Sequence, residues 1–179
     1  TTEQILKDGG ESIFQLADVS NDEQIQNAIA SCVEIYGQLD IGVNSAGIAG
    51  ARTLTHQYGE DDWNKVISIN LTGVWLAMKY QLSYMVPNQS GTIVNISSIA
   101  GLVGLPNASA YVAAKHAIIG LTKTAALEYA QSGISINAIS PGWTRTDLIK
   151  HKIGNKGQEK MIADRHPTGR LCEPEEIAE

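Results

Sequence analysis

The pattern of segments predicts an α/β fold built on parallel strands. Apolar runs of strand length at 39–44, 92–98 and 134–139 are separated by stretches with helical spacing. The connections between them are short. Strand–helix–strand units of this kind place successive strands parallel, with each helix crossing over the sheet.

In order, the chain opens with the end of a helix at 1–7, closed by Asp8-Gly9-Gly10. Ile13-Phe14-Gln15-Leu16 has the composition of a short strand, and 17–20 is its exit. Ser20 with Glu23 forms a capping box opening a helix. Its apolar positions Ile25, Ile29, Cys32 or Val33, and Tyr36 keep helical spacing, and Gly37 ends it. After the strand at 39–44, a polar loop runs to about Gly59 and a helix begins at Glu60, carrying Trp63, Val66 and Ile67. Asn70 falls inside that helical stretch, which continues over 71–86 until Pro87 stops it. An asparagine in an apolar helix is costly unless its amide is used. The strand at 92–98 ends in two serines, a loop covers 100–108, and a helix spans about 110–131. Ala113, Ala114, Ala117 and Gly120 let it lie close to its neighbours. Beyond the strand at 134–139 and Ser140-Pro141-Gly142 the sequence turns polar and irregular after Thr146. A helix is expected around 158–166, and Glu173-Pro174-Glu175-Glu176 starts another.

With 179 residues the chain is one domain's worth, large enough to bury a core. Its net charge of −6, without a Lys/Arg run, argues against nucleic acid or an anionic membrane as partner. No apolar run has transmembrane length. Cys32 and Cys172 are far apart, and His56, His116, His151 and His166 are scattered, so no metal site is expected. The default is a cytoplasmic, reduced, metal-free protein. Asn-x-Ser/Thr triplets at Asn70, Asn88, Asn95 and Asn107 read as coincidental, Asn95 lying in an apolar strand.

The chemistry is concentrated at 92–146. Tyr111 and Lys115 are four apart, so on a helix they share a face. An ammonium beside a phenol favours the phenolate and should pull the tyrosine's pKa down from about 10. Tyr111 then serves as a general acid/base. Ser98, at a strand's carboxyl end, can offer its hydroxyl to a carbonyl or alkoxide oxygen that Tyr111 also reaches. Each feature alone has an ordinary reading, a surface pair and a turn residue. The combination of Ser98, Tyr111 thirteen residues on, and Lys115, framed by two strands, is more specific.

With Asn44-Ser45-Ala46-Gly47 after a strand, Asn70 in a helix and Pro141-Gly142-Trp143-Thr144-Arg145-Thr146, this set resembles the classical short-chain dehydrogenase/reductase family. The likeness covers almost the whole chain. It implies a Rossmann-type doubly wound parallel sheet with helices on both faces. It also implies hydride transfer between a nicotinamide cofactor, NAD or NADP, and the carbon of a secondary alcohol or ketone. In the roles it carries over, Tyr111 moves the proton, while Lys115 lowers the tyrosine's pKa and binds the nicotinamide ribose. Ser98 polarises the substrate oxygen, and Asn70 completes a proton relay through water. Asp18 and Val19 match positions that touch the adenine. Asn44, Ala46 and Gly47 match the strand end beside the adenosine, with Ser45 where a second asparagine is usual. Pro141, Gly142, Thr144 and Thr146 match the turn beside the nicotinamide, with Thr144 where valine or isoleucine is commoner. The loop 101–106 and the segment after Thr146 should line the pocket, pointing to a small substrate of modest polarity. The family's dimers and tetramers form through two long helices, here about 71–86 and 110–131, where Trp75, Met78 and Ile118 are candidates for the interface or the core.

Against that resemblance, one part is missing. A dinucleotide fold places a glycine-rich turn between its first strand and helix, where backbone N–H groups meet the pyrophosphate. Gly47-Ile48-Ala49-Gly50 follows a strand but leads into a polar loop, so it does not qualify. Residues 1–179 therefore read as one Rossmann domain, incomplete at both ends, with the first βαβ unit and the last strand outside them. Two strands would be absent between 13–16 and 39–44, leaving edges with unpaired backbone and apolar faces. The residue that selects NAD or NADP would follow the second strand and is not readable. Two alternatives stay open: a fragment or inactive relative without catalysis of its own, and an epimerase or dehydratase of the family's extended branch.

Overall fold

The computed structural model describes residues 1–150 and 156–179. Helices α1 (Thr2–Lys7) and α2 (Asp22–Tyr36) precede strand β1 (Ile41–Asn44). Helix α3 (Glu60–Ile67) runs through a π-helical turn at Ser68–Thr72 into α4 (Gly73–Asn88), which leads to β2 (Gly91–Ile96). Helix α5 (Ser109–Tyr129) and β3 (Ile134–Ile139) follow, then the short helices α6 (Asp147–Lys150), α7 (Lys156–Ala163) and α8 (Pro174–Ala178).

The strands form a parallel sheet in the order β1-β2-β3. In register, Val43 lies beside Val94 and Val94 beside Asn137, so the three carboxyl ends stand together. Helices α4 and α5 cover one face. Met78, Leu82 and Met85 of α4 and Ile118 and Ala125 of α5 pack on Ile93, Ile134 and Ile136. Each such aliphatic side chain contributes roughly 1.5–3 kcal/mol by leaving water. Met78 and Ile118 therefore belong to the core, whereas Trp75 stays exposed. Helix α2 packs on α4 through Ile25, Leu76 and Ala77. On the opposite sheet face, Ile41 and Val43 are 64% and 60% exposed. The Rossmann-type parallel sheet is present, and on that second face Ile177 of α8 and Leu148 and Ile149 of α6 line a cavity with Val43 and Val94.

Several sequence expectations are corrected. Residues 13–16 form no strand, and Phe14 and Leu16 are 78% and 82% exposed. Strand composition yields a strand only where another backbone takes up its N–H and C=O groups, and no described strand lies beside this one. The cap of α2 is Asn21, whose Oδ1 accepts from the Gln24 N–H at 3.1 Å, while Ser20 donates to Asp18 instead. Pro87 does not stop α4; it sits in the last turn, and the helix ends at Asn88 with Gln89 left-handed at φ 50°. There Gln89 N–H donates to Val86 O at 3.1 Å and Ser90 N–H to Met85 O at 3.4 Å, the closing pair of a Schellman turn. The short α6 had no sequence expectation. The helix start at Glu173-Pro174 and the end of α2 at the left-handed Gly37 stand as expected, and Glu173 and Glu176 close a capping box that had no sequence expectation. No helix among the described residues is long and apolar enough to cross a membrane.

Candidate active site

The carboxyl ends of parallel strands leave a crevice where ligands of such sheets bind. The strand expected to run to Ser98 ends at Ile96, and the two serines just past it, Ser97 buried and Ser98 half-buried, both reach the cavity lining. Ser97 is buried and its Oγ donates to the Lys115 carbonyl at 2.9 Å, tying α5 to the sheet. A Cβ at Gly101 would come within 2.5 Å of Ser97 Oγ and 2.7 Å of Lys115 O, so this approach requires glycine. Ser98 Oγ accepts from Ala100 N–H at 3.1 Å, holding the turn Ile99–Gly101, and its hydroxyl is near enough to the Tyr111 hydroxyl to favour the phenolate.

Tyr111 and Lys115 lie on the same face of α5, with Lys115 Nζ 5.7 Å from the centre of the tyrosine ring. Burial lowers the Lys115 pKa to about 8, and its ammonium donates to the Ile96 carbonyl at 2.7 Å. The Tyr111 phenol is pushed above its ordinary value by burial, with the Ser98 hydrogen bond and the Arg52 charge acting the other way. This corrects the expected lysine effect. The lysine is fixed to a main-chain carbonyl and is itself less readily charged, so burial outweighs it.

Asn70 is fully buried in the π-helical turn, where Gly73 N–H reaches back to Ser68 O. Its Oδ1 accepts from Ile48 N–H and its Nδ2 donates to Ile48 O, both at 2.8 Å. The amide thus mimics a strand neighbour for the loop after β1. A Cβ at Gly47 would meet Asn70 Oδ1 at 3.3 Å and Lys115 Nζ at 3.9 Å, so this loop closes directly over the lysine. Asn44 turns away from the cavity: its amide pairs with Gln81 at 2.9 and 3.2 Å and donates to Asn95 at 2.8 Å. Ala46 is exposed beside it. Asp18 and Val19 are outside the cavity lining; Asp18 accepts from Ser20, and Val19 packs near Gly73.

Pro141, Gly142, Thr144 and Thr146 all line the cavity. The turn is held from behind by Cys172, which donates to Trp143 O at 2.9 Å and accepts from Arg145 N–H at 2.8 Å. His166 Nε2 accepts from Trp143 N–H at 3.0 Å, which leaves the ring proton on Nδ1, 3.2 Å from Ile162 O. A Cβ at Gly142 would come within 2.8 Å of His166 Nε2. Replacing His166 by Leu should therefore cost about 1 kcal/mol, since the part-buried Trp143 N–H loses its acceptor. It should also raise the KM for the nicotinamide cofactor several-fold; denaturant melts and initial rates check both. His151 lies outside the described residues, and among those described no cluster of three His, Cys, Asp or Glu side chains could hold a metal.

The cavity measures about 700 Å³. Its walls fit the nicotinamide-ribose end of a dinucleotide. Lys115 spends one of its three N–H donors on Ile96, leaving others for hydroxyls, and Gly47 and Gly142 admit close backbone approach. Residues 151–155 of the expected pocket segment lie outside the described residues, while Leu148 and Ile149 of α6 do line it. Sequence reasoning missed Arg52 and His166. Arg52 sits in a polar loop without motif, and nothing local marks the bond from His166 to a turn 23 residues earlier.

A family model described as enoyl-(acyl carrier protein) reductase matches residues 1–179. The chain is 40% identical over 177 residues to a cyclohexanol dehydrogenase of Acinetobacter sp. (strain SE19), covering 99% of this chain and 68% of that one. It is 39% identical over 175 residues to a cis-4-hydroxycyclohexanecarboxylate dehydrogenase of Sinomonas cyclohexanicum, covering 97% and 70%. Among solved structures, ElxO with NADP bound superposes with a TM-score of 0.86 at 39% identity, over 96% of this chain and 72% of that one. An NAD+-bound xylitol dehydrogenase gives 0.90 at 31% identity, over 99% and 75%. The chain belongs to the short-chain dehydrogenase/reductase family, among whose members are relatives named as alcohol dehydrogenases and structures carrying NADP or NAD+.

Proposed function

We propose that residues 1–179 are one Rossmann-fold domain of an enzyme oxidising a small cyclic secondary alcohol to its ketone, and the reverse. The observation that carries the reading is the hydroxyl pair of Ser98 and Tyr111 at the wall of an apolar cavity, with Lys115 behind it. Relatives named for ring alcohols support the substrate class. When bound, the nicotinamide cofactor supplies the group that accepts or donates hydride.

The protein's residues supply the rest. Ser98 and Tyr111 hold the substrate oxygen between two hydroxyls. Tyr111, kept protonated at neutral pH, donates its proton to the oxygen during ketone reduction and recovers one during alcohol oxidation. Lys115 binds ribose hydroxyls and replenishes protons toward Tyr111. Asn70 acts by holding Ile48, and through it the loop at Gly47. Ala46, Gly47, Pro141, Gly142, Thr144 and Thr146 form the cofactor wall, Asn44 holds its strand end, and Asp18 and Val19 stand toward the adenine. The protein is read as cytoplasmic, without nucleic-acid or membrane partners. It pairs with further copies through α4 and α5, where Trp75 and Leu127 are 47% and 83% exposed.

Incubating the full chain with NAD+ or NADP+ and either cyclohexanol or a straight-chain primary alcohol tests the reading. Reduced nicotinamide should form with cyclohexanol, at a kcat/KM at least about tenfold higher than with the primary alcohol. Equal or reversed preference contradicts it.

A further inference from the structure

Lys115 is not the only cation facing the cavity. Arg52, in the loop between β1 and α3, also lines it, and no carboxylate is among the described lining residues. Its Nη1 reaches across to the loop after β2, donating to Pro106 O at 3.5 Å, the weak limit of a hydrogen bond. The two loops it spans flank Tyr111, and the guanidinium is near enough for its charge to favour the phenolate. Among the described residues Arg52 has no ion pair, unlike Arg145 and Arg170, which are paired with glutamates. The same cavity wall also carries the apolar side chains Leu105, Ala108 and Trp143.

Arg52 is exposed to solvent, yet it stands on the wall of a largely apolar cavity with most of its five donors uncommitted. A guanidinium presents a planar fork that matches a carboxylate, and the contact to Pro106 is cheaply given up. We propose that Arg52 receives an anionic group of the substrate, so that the site prefers hydroxy and keto acids whose carboxylate stands across the ring from the CH–OH carbon. The proposal rests on the reading of this cavity as the alcohol/ketone site. It adds the handle that orients a substrate otherwise held only by apolar walls and one oxygen.

Two measurements on the full chain test it. Calorimetric titration with cyclohexanecarboxylate, which has no hydroxyl to oxidise, reads the anion site alone. Wild type should bind it at least about tenfold more tightly than Arg52→Gln, with Arg52→Lys between the two. The ratio of kcat/KM for 4-hydroxycyclohexanecarboxylate over cyclohexanol should likewise fall about tenfold or more in Arg52→Gln, chiefly through KM. Equal carboxylate affinity in wild type and Arg52→Gln, or an unchanged ratio, overturns the proposal. Arg52-dependent carboxylate binding without turnover of either alcohol upholds the anion site and sinks the alcohol/ketone reading instead.

Discussion

Replacing Tyr111 by Phe should lower kcat for both directions by about 10³-fold while leaving the fold intact. The ring remains to fill its place, and only the hydroxyl beside Ser98 is lost. Loss of a positioned general acid/base costs 10²–10⁴-fold; a factor of 10³ corresponds to about 4 kcal/mol of barrier. The stability change should be near ~1 kcal/mol, that of one neutral hydrogen bond. The pH profile separates proton transfer from mere packing. Because burial raises the phenol above its ordinary value, alcohol oxidation by wild type should quicken with pH up to the edge of phenol ionisation, above about 10. Ketone reduction should not gain from that rise. The Phe variant should show neither trend, and a variant with wild-type rates removes Tyr111 from the mechanism.

Lys115→Met should lose activity by two or more orders of magnitude, and it should also change how stability depends on pH. In the native chain burial holds the Lys115 pKa at about 8, against a reference of 10.5. A base whose folded pKa is depressed binds fewer protons native than unfolded between those values, so stability rises with pH across that window. Below about 8 both states are protonated and the burial penalty is complete. Between pH 7.5 and 9.5 the wild type should therefore gain about 2 kcal/mol relative to Lys115→Met. Tyr111 works in the opposite sense: its raised folded pKa contributes stability that is lost as pH rises through it, above about 10. Urea melts at the two pH values read the difference below that interference. Parallel changes in both chains would mean that Lys115 is solvated rather than buried.

The parts of this account legible in the sequence are those set by local pattern. The spacing of Tyr111 and Lys115, a strand leading to the two serines at 97–98, and the limits of β3 follow from the periods of helix and strand. What was not legible depends on partners distant in sequence. Residues 13–16 carry strand residues, yet no described strand pairs with them. The pKa of Tyr111 moved against the expectation because burial, which depends on packing between distant segments, raises it, while Lys115 is committed to Ile96 O 19 residues away in sequence. Asn44 fits a cofactor motif, but its side chain is spent on Gln81 and Asn95 inside the helix-covered face. Arg52 and His166 reach the site from loops whose composition predicts only exposure.

The most direct test follows the transferred hydrogen. The full chain is incubated with cyclohexanol deuterated at its carbinol carbon and with oxidised nicotinamide cofactor. The account predicts deuterium at C4 of the reduced nicotinamide, and no such transfer from Tyr111→Phe at wild-type rate. Deuterium released to water, or a reduced cofactor free of label, would contradict direct hydride transfer in the cavity between Ser98, Tyr111 and the turn at Gly142.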